Sequence, residues 1–415
     1  MSKVVFVTDH VPGHDTGFQK SGHGHYLKTF VDYFNERQFD VTSLVLRPKV
    51  DFIRISAAEL PYRLEGPAFR LDGGLIVLRS LKDMLRCMLW HGFASAPQNV
   101  QNVASSIRLR AREMKGFSHD LGRPISPEER AYVSRAIARI RPDIVMYDGI
   151  FNACGRLGDA QHWVISHEVK HERARSFADR GVSVSPAGFD MATECRIIEE
   201  VGNVIAIQWD DAAEFKRLAP SAVVVVVPVA IDIEHVSDHR KPVPGRVVFV
   251  GSGSFHNYDG IRWFLERCWT TIRSLVPEAS LEIVGSVCAR LGNLPAGVTL
   301  RGVVDDIADA YREASCVVVP LQIGSGLKVK VIEAMAHGVP IVTTSIGAQG
   351  LAQFDPQPFV IADDGVAFAA SCVDVLGSEQ RRRELSAAAS ECASRFTMKT
   401  AFEEFTHAMA LEPVA

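Results

Sequence analysis

Short runs of β-branched and other apolar residues recur along the whole chain, separated by longer stretches whose apolar positions follow helical spacing. Such runs read as buried parallel strands, and the stretches between them as the helices that cover the sheet. The first half yields strands at Val4 to Thr8, Val41 to Leu46, Ile144 to Tyr147, Trp163 to Ser166, Val204 to Gln208 and Val223 to Val227. The second half repeats the scheme at Val247 to Val250, Leu281 to Val284, Thr299 to Gly302, Cys316 to Val319, Ile341 to Thr344 and Phe359 to Ile361. The five valines Val223 to Val227 read as a central strand buried on both faces. A polar, proline-containing stretch, residues 230–246, separates the two sets and reads as a linker. A last helix, about Lys399 to Leu411, follows a short break at Phe396-Thr397.

At 415 residues, with 47% hydrophobic content, the chain is long enough for two cores. The expected division is a first domain over 1–229, the linker, a second domain over 247–396 and a terminal segment over 397–415. A net charge of −4 argues against a protein whose main work is coating nucleic acid. Eight scattered cysteines lack a Cys-x-x-Cys pair and read as reduced core residues. Met1 leads directly into the first strand, and no apolar run has membrane-spanning length, so a cytoplasmic protein is expected. Residues 82–124 mix seven Lys and Arg residues with Leu85, Trp90 and Phe93. They read as an excursion packed on the first domain, with peripheral contact at the inner face of a membrane as the alternative.

The chemistry concentrates between residues 320 and 350. A strand ends at Pro320, the turn Gly324-Ser325-Gly326 follows, and a helix is expected from Leu327. Unpaired N–H groups at such a helix start, with the positive dipole end, suit a phosphate. Lys328 and Lys330 add charge in the first turn, and Glu333 lies where a carboxylate can accept hydrogen bonds from nucleoside hydroxyls. Gly251-Ser252-Gly253 forms a second glycine turn after the strand ending at Val250. The loop from Asp9 to Tyr26 is rich in glycine and histidine and lies at a strand's carboxyl end, where open parallel sheets bind ligands. Gly22 and Gly24 suit close backbone approach there, and Lys20 or His25 polar contact. Its four histidines lack fixed ligand spacing or a carboxylate cluster, so no metal is expected. His167, Glu168 and Arg173 emerge after the strand ending at Ser166.

Glu333-Ala334-Met335-Ala336, with Gly338 and Pro340, resembles the nucleotide-binding signature of retaining glycosyltransferases of the GT-B fold, of the glycosyltransferase family 4 or group 1 type. The resemblance implies an α/β fold of two Rossmann-like domains facing each other across a cleft, with the C-terminal helix crossing back to the N-terminal domain. It implies transfer of a sugar from a nucleoside-diphosphate sugar to a hydroxyl acceptor, a glycan, a lipid-linked molecule or a small molecule, with retention of configuration. The nucleotide sugar is a substrate, and no further cofactor is implied. Glu333 would bind the ribose, Val303 and Val304 the base through their backbone, and the loops at 251–253, 324–327 and 22–24 the phosphates. His167 would be catalytic, contacting the donor sugar or its phosphate, with Glu168 and Arg173 behind it, Arg173 as an acceptor or donor contact. Where the family carries a second glutamate, eight residues before Glu333, this chain has Ser325. Where relatives hold the diphosphate with an arginine and a lysine, it has Asn257 and Tyr258, so Lys328, or else Lys330, is expected to supply the charge. The chain contains no Asp-x-Asp triplet, in keeping with metal independence. A sugar-nucleotide epimerase of the same fold, or a noncatalytic nucleotide- or glycan-binding relative, is the alternative. A dinucleotide-dependent dehydrogenase fits worse, because no first strand leads promptly into Gly-x-Gly-x-x-Gly.

Overall fold

A computed structural model of the protein describes residues 1–12, 22–47, 60–72, 75–78, 118–179, 181, 183–186, 189–231, 241–304 and 306–410. Two compact units result: Met1–Val227 with Glu403–Ala415, and Pro228–Phe402. The strands of the first are β1 (Lys3–Thr8), β2 (Asp40–Val45), β3 (Arg63–Glu65), β4 (Phe69–Asp72), β5 (Leu75–Leu78), β6 (Ser118–Asp120), β7 (Ile144–Asp148), β8 (Gln161–Ser166), β9 (Ser183–Ser185), β10 (Asn203–Ala206) and β11 (Val223–Val226). Seven make one sheet in the order β11-β10-β8-β7-β1-β2-β3, with every pair parallel. The pairs β4–β5 and β6–β9 stand apart from it.

The second unit holds β12 (Arg246–Val250), β13 (Ser280–Val284), β14 (Val298–Gly302), β15 (Cys316–Val319), β16 (Ile341–Thr343) and β17 (Val360–Ile361). They form one parallel sheet in the order β14-β13-β12-β15-β16-β17. In both sheets the chain builds outward one way from its first strand and then returns to build the other way. The order therefore reverses between β1 and β7, and again between β12 and β15. At such a reversal the connections on either side leave in opposite directions, and a crevice opens at the strands' carboxyl ends.

All twelve strands read from the sequence are present. β3, β4, β5, β6 and β9 are additions; of these only β3 joins the large sheet, where Arg63-Leu64-Glu65 offers a single apolar side chain and no run to detect. Helix boundaries follow local chemistry. Helix Pro127–Ile140 starts at a capping box in which Glu129 N donates to Ser126 Oγ at 3.2 Å and Ser126 N to Glu129 Oε2 at 2.8 Å. Pro127 opens the first turn, where no N–H partner is needed. Among the described residues no helix is long and apolar enough to cross a membrane.

Two expectations are corrected. The valine run is an edge strand, and Val223 is 49% exposed. Its burial begins only at Val225, and its outer edge is closed by Glu404, whose Oε2 accepts from Val226 N at 2.9 Å. The last helix is not continuous. It is split into Met398–Ala401 and Glu403–Ala408, with Phe402 buried at the break. The second piece docks on the first unit through Phe405, which meets the rings of Phe30, Tyr33, Phe34 and Trp163 at centroid distances of 5.3–6.1 Å. Tyr33 Oη and Thr406 Oγ1 share a hydrogen bond of 2.9 Å.

Phe405 has no exposed surface, so Phe405→Ala would forfeit both transfer energy and packing. Denaturant unfolding of that variant should show a loss of about 3–5 kcal/mol. A loss below about 1 kcal/mol would mean that the terminal segment is not part of the first unit's core.

Candidate functional site

In the second unit the residues picked out by the sequence gather at the β12/β15 reversal. Beyond Val250, the turn Gly251–Ser254 leads into helix Phe255–Phe264. Asn257, in the first turn of that helix, is 3% exposed. Its Nδ2 donates to Ser252 O at 3.1 Å and to the hydroxyls of Ser252 and Ser254 at 3.0 Å. Gly253 is held on both sides, its N–H donating to Ser286 Oγ at 2.8 Å and its carbonyl accepting from Arg290 Nη1 at 3.1 Å. The Arg290 guanidinium lies over the Tyr258 ring, 4.1 Å from its centre. Arg290 is thus a cation of this turn that the sequence pattern did not single out.

From β15 the chain passes through Pro320 into the second turn. Gly324 at φ 136° and Gly326 at φ 72° occupy the region that side-chain-bearing residues avoid. Helix Val329–Ala336 follows, two residues later than expected, with Lys328 outside it at φ −94° and ψ 95°. That conformation folds Lys328 back onto the turn. Its ammonium donates to Ser325 O at 3.2 Å, to Gln349 Oε1 at 3.1 Å and to Gly326 O. An ammonium has three donors, and these three acceptors fix the turn's shape. Lys328 therefore clamps the turn, and the cation that reaches the crevice is Lys330. Its Nζ donates to Asn257 Oδ1 and lies 5.0 Å from the centre of the Phe249 ring. Desolvation lowers the Lys330 pKa to about 7, against a raising influence from Glu333 and a further lowering one from Lys328.

Glu333 sits one turn beyond Lys330, partly exposed, with Tyr311 Oη donating to its Oε2 at 3.2 Å. The same hydroxyl reaches Lys330 O at 3.4 Å. Tyr311 is wholly buried and stacked on His337 at 5.1 Å. It orients the glutamate, and nothing in the local sequence marks it for that work. Val303, just beyond β14, is 50% exposed, and Val304 is half-buried.

The first unit has its own polar cluster at the β1/β7 reversal. Thr8 Oγ1 donates to Asp148 Oδ2 at 2.6 Å, joining the carboxyl ends of the two strands. From neighbouring β8, His167 Nε2 meets Asp148 Oδ1 at 2.7 Å, and the edge of Tyr26 packs on the imidazole at 5.5 Å. Asp148 is 3% exposed. A buried carboxylate at one ring nitrogen fixes the tautomer and the direction of the other. Asp148 is the partner that the sequence did not reveal.

Glu168 and Arg173 take different parts from those expected. Glu168 is 5% exposed and gripped by Lys170 Nζ at 2.6 Å and by Arg173 Nη1. Burial alone would raise its pKa, but Arg173 and Lys170 outweigh burial and hold the carboxyl well below the usual range. The three charges tie helix Lys170–Ala178 to the end of β8. Gly24 is buried in helix Gly22–Glu36, which starts at Gly22, whereas Lys20, the His25 side chain and residues 82–117 lie outside the described residues.

Among the described residues, His171, Glu172 and Glu214 bring ligand atoms within 4.8 Å of one another. His171 Nδ1 already meets the buried Glu194 Oε2 at 2.9 Å, and that hydrogen bond raises the His171 pKa. The cluster sets an imidazole among carboxylates that favour its protonated form.

Residues 244–378, within the second unit, match a family model described as Glycosyl transferases group 1. The chain is 28% identical over 215 residues to a phosphatidyl-myo-inositol mannosyltransferase of Mycolicibacterium smegmatis, covering 48% of this chain and 54% of that one. It is also 28% identical over 137 residues to an uncharacterized 44.6 kDa protein in the cps region of Klebsiella pneumoniae, covering 30% and 35%. The chain thus spans about a third to a half of the length of these curated relatives. Solved structures match nearly end to end. A sucrose-phosphate synthase from Thermosynechococcus elongatus shares 14% identity at a TM-score of 0.63, with 98% of each chain covered. Anabaena HepE in complex with UDP shares 12% at 0.60, covering 98% of this chain and 99% of that one. The fold is GT-B, as in WaaG, a glycosyltransferase of lipopolysaccharide biosynthesis, at a TM-score of 0.57 and 13% identity over 97% of this chain and 99% of that one.

The raised His171 pKa means that the folded state favours the protonated imidazole. Its contribution to stability is full below the unfolded pKa of about 6.5 and is lost as pH rises through the folded value. Unfolding free energies of wild type and His171→Ala should therefore differ more at pH 5.5 than at pH 8.5. Equal differences at both would place the imidazole away from Glu194.

Proposed function

We propose that the protein is a glycosyltransferase that moves a sugar from a nucleoside-diphosphate sugar to a hydroxyl acceptor, with retention of configuration and without metal. The observation that carries this reading is Glu333, held by Tyr311 one helical turn from Lys330, at the strand-order reversal of a glycosyl transferases group 1 domain. A carboxylate there accepts two hydrogen bonds from vicinal ribose hydroxyls, as UDP and GDP offer. Lys330 and the Gly324–Gly326 turn lie where the diphosphate would bind. As the bond to the sugar breaks, charge grows on the departing diphosphate, and fixed donors stabilise it without solvent rearrangement. HepE, crystallised with UDP, is a relative in fold, and its ligand favours a nucleoside diphosphate here.

In the first unit, Asp148 and His167 offer an oriented imidazole to an acceptor hydroxyl. Thr8 fixes Asp148, Asp148 fixes His167, and the ring nitrogen away from Asp148 is the one that meets the substrate. The mannosyltransferase relative has phosphatidyl-myo-inositol in its name, and a lipid-linked or glycan acceptor suits a chain of this type.

Each charge-assisted hydrogen bond from Glu333 is worth about 1.5–3 kcal/mol, so Glu333→Ala should weaken nucleoside-diphosphate binding by about tenfold to a hundredfold. Calorimetry with UDP, GDP, dTDP and ADP reads this directly. Binding indifferent to the mutation would remove Glu333 from the site. In transfer assays, Asp148→Asn should lower kcat by roughly tenfold or more while leaving the donor KM little changed, because it misdirects His167 without touching the nucleotide turns. An unchanged kcat would make the Asp148–His167 pair purely structural.

A further inference from the structure

The bridge between Asn257 and Lys330 spans the β12/β15 reversal. One end is the amide that holds the Gly251–Ser254 turn, and the other is the amine carried by the helix after β15. Every polar atom of the Asn257 side chain is thereby engaged: the amide nitrogen on the turn, the amide oxygen on Lys330. A half-buried amine facing a neutral amide is less well solvated as an ammonium than it would be in water. An anion entering the crevice would change that balance.

We propose that this bridge is an exchange device for the diphosphate. In the free protein Lys330 donates to Asn257, and desolvation keeps it a largely neutral amine. The entering nucleoside diphosphate takes the amine over as an ammonium, and the added proton comes from solvent. The step balances simply: an amine and a proton give an ammonium, paired with a phosphate oxygen, while Asn257 Oδ1 loses its donor. The proposal deepens the nucleotide reading above and rests on it.

The surroundings of Lys330 are specific about the cause. Its own helix contributes Glu333, which favours the charged form, and the adjoining Lys328, which opposes it. From the helix Ala308–Glu313 comes Tyr311, kept in its neutral phenol form by burial. Helix Phe255–Phe264 presents the uncharged Asn257, and β12 the Phe249 ring. Desolvation prevails, and the amine titrates near pH 7 in the free protein. A diphosphate in contact adds negative charge to that of Glu333 and tips the balance to the ammonium.

The test is calorimetric titration with whichever of UDP, GDP, dTDP and ADP binds, at pH 8 in buffers of differing ionisation enthalpy. At pH 8 the nucleotide's own phosphates are already ionised, so uptake reports on the protein. Wild type should take up close to one proton per nucleotide, and affinity should fall about tenfold from pH 8 to pH 9. Lys330→Arg, always charged, should bind with no uptake and little pH dependence. Asn257→Asp, which pairs the ammonium in the free protein, should also abolish uptake at pH 8. Binding by wild type without proton uptake, or uptake that persists in Lys330→Arg, would overturn the proposal while leaving the nucleotide site standing. Binding of no nucleotide at all would overturn both.

Discussion

The reversal of strand order in each parallel sheet is the constraint on which the rest of the molecule depends. A central strand whose neighbours are joined by connections leaving in opposite directions has nothing to cross over its carboxyl end. Backbone N–H groups and loop side chains are therefore left facing one another there. In both units this chain closes the reversal with a polar bridge. Thr8 to Asp148 joins β1 to β7, and Asn257 to Lys330 joins the turn after β12 to the helix after β15. The elsewhere apolar strands bury these ends at little cost, because each bridging group finds its partner.

Chemistry then divides according to what each bridge carries. The first unit's bridge ends in a carboxylate that also grips His167, which makes it a device for orienting an imidazole. The second unit's bridge ends in an amine whose charge the protein disfavours. Desolvation outweighs the favourable charge of Glu333 there, and an anion arriving in the crevice would tip Lys330 back to its ammonium form. Lys328 shows the contrast. Its ammonium is satisfied by two of the turn's carbonyls and by Gln349, and it holds Gly324–Gly326 in shape, two residues away from an otherwise similar lysine.

Strands were legible in the sequence because burial on both faces demands unbroken β-branched runs, and those runs stand out in one dimension. Glu333 was legible because its helix carries a recognisable string of small and apolar residues around it. Other features depend on neighbours far off in sequence. Val223 looked central because the group that closes its edge, Glu404, lies 178 residues from Val226. Asp148 follows a strand like many aspartates, and only the adjacency of β7 and β8 gives it His167. Lys328 and Lys330 could not be told apart, since the deciding fact is the non-helical backbone at Lys328, set by the two glycines before it.

The most direct measurement of where the ligand binds is hydrogen–deuterium exchange with and without saturating nucleoside diphosphate. Protection confined to the turns after β12 and β15 and to helix Val329–Ala336 is the expected result, with the sheet interior unchanged. Protection elsewhere in the second unit, with these turns unaffected, would contradict the assignment of the β12/β15 reversal as the nucleotide site.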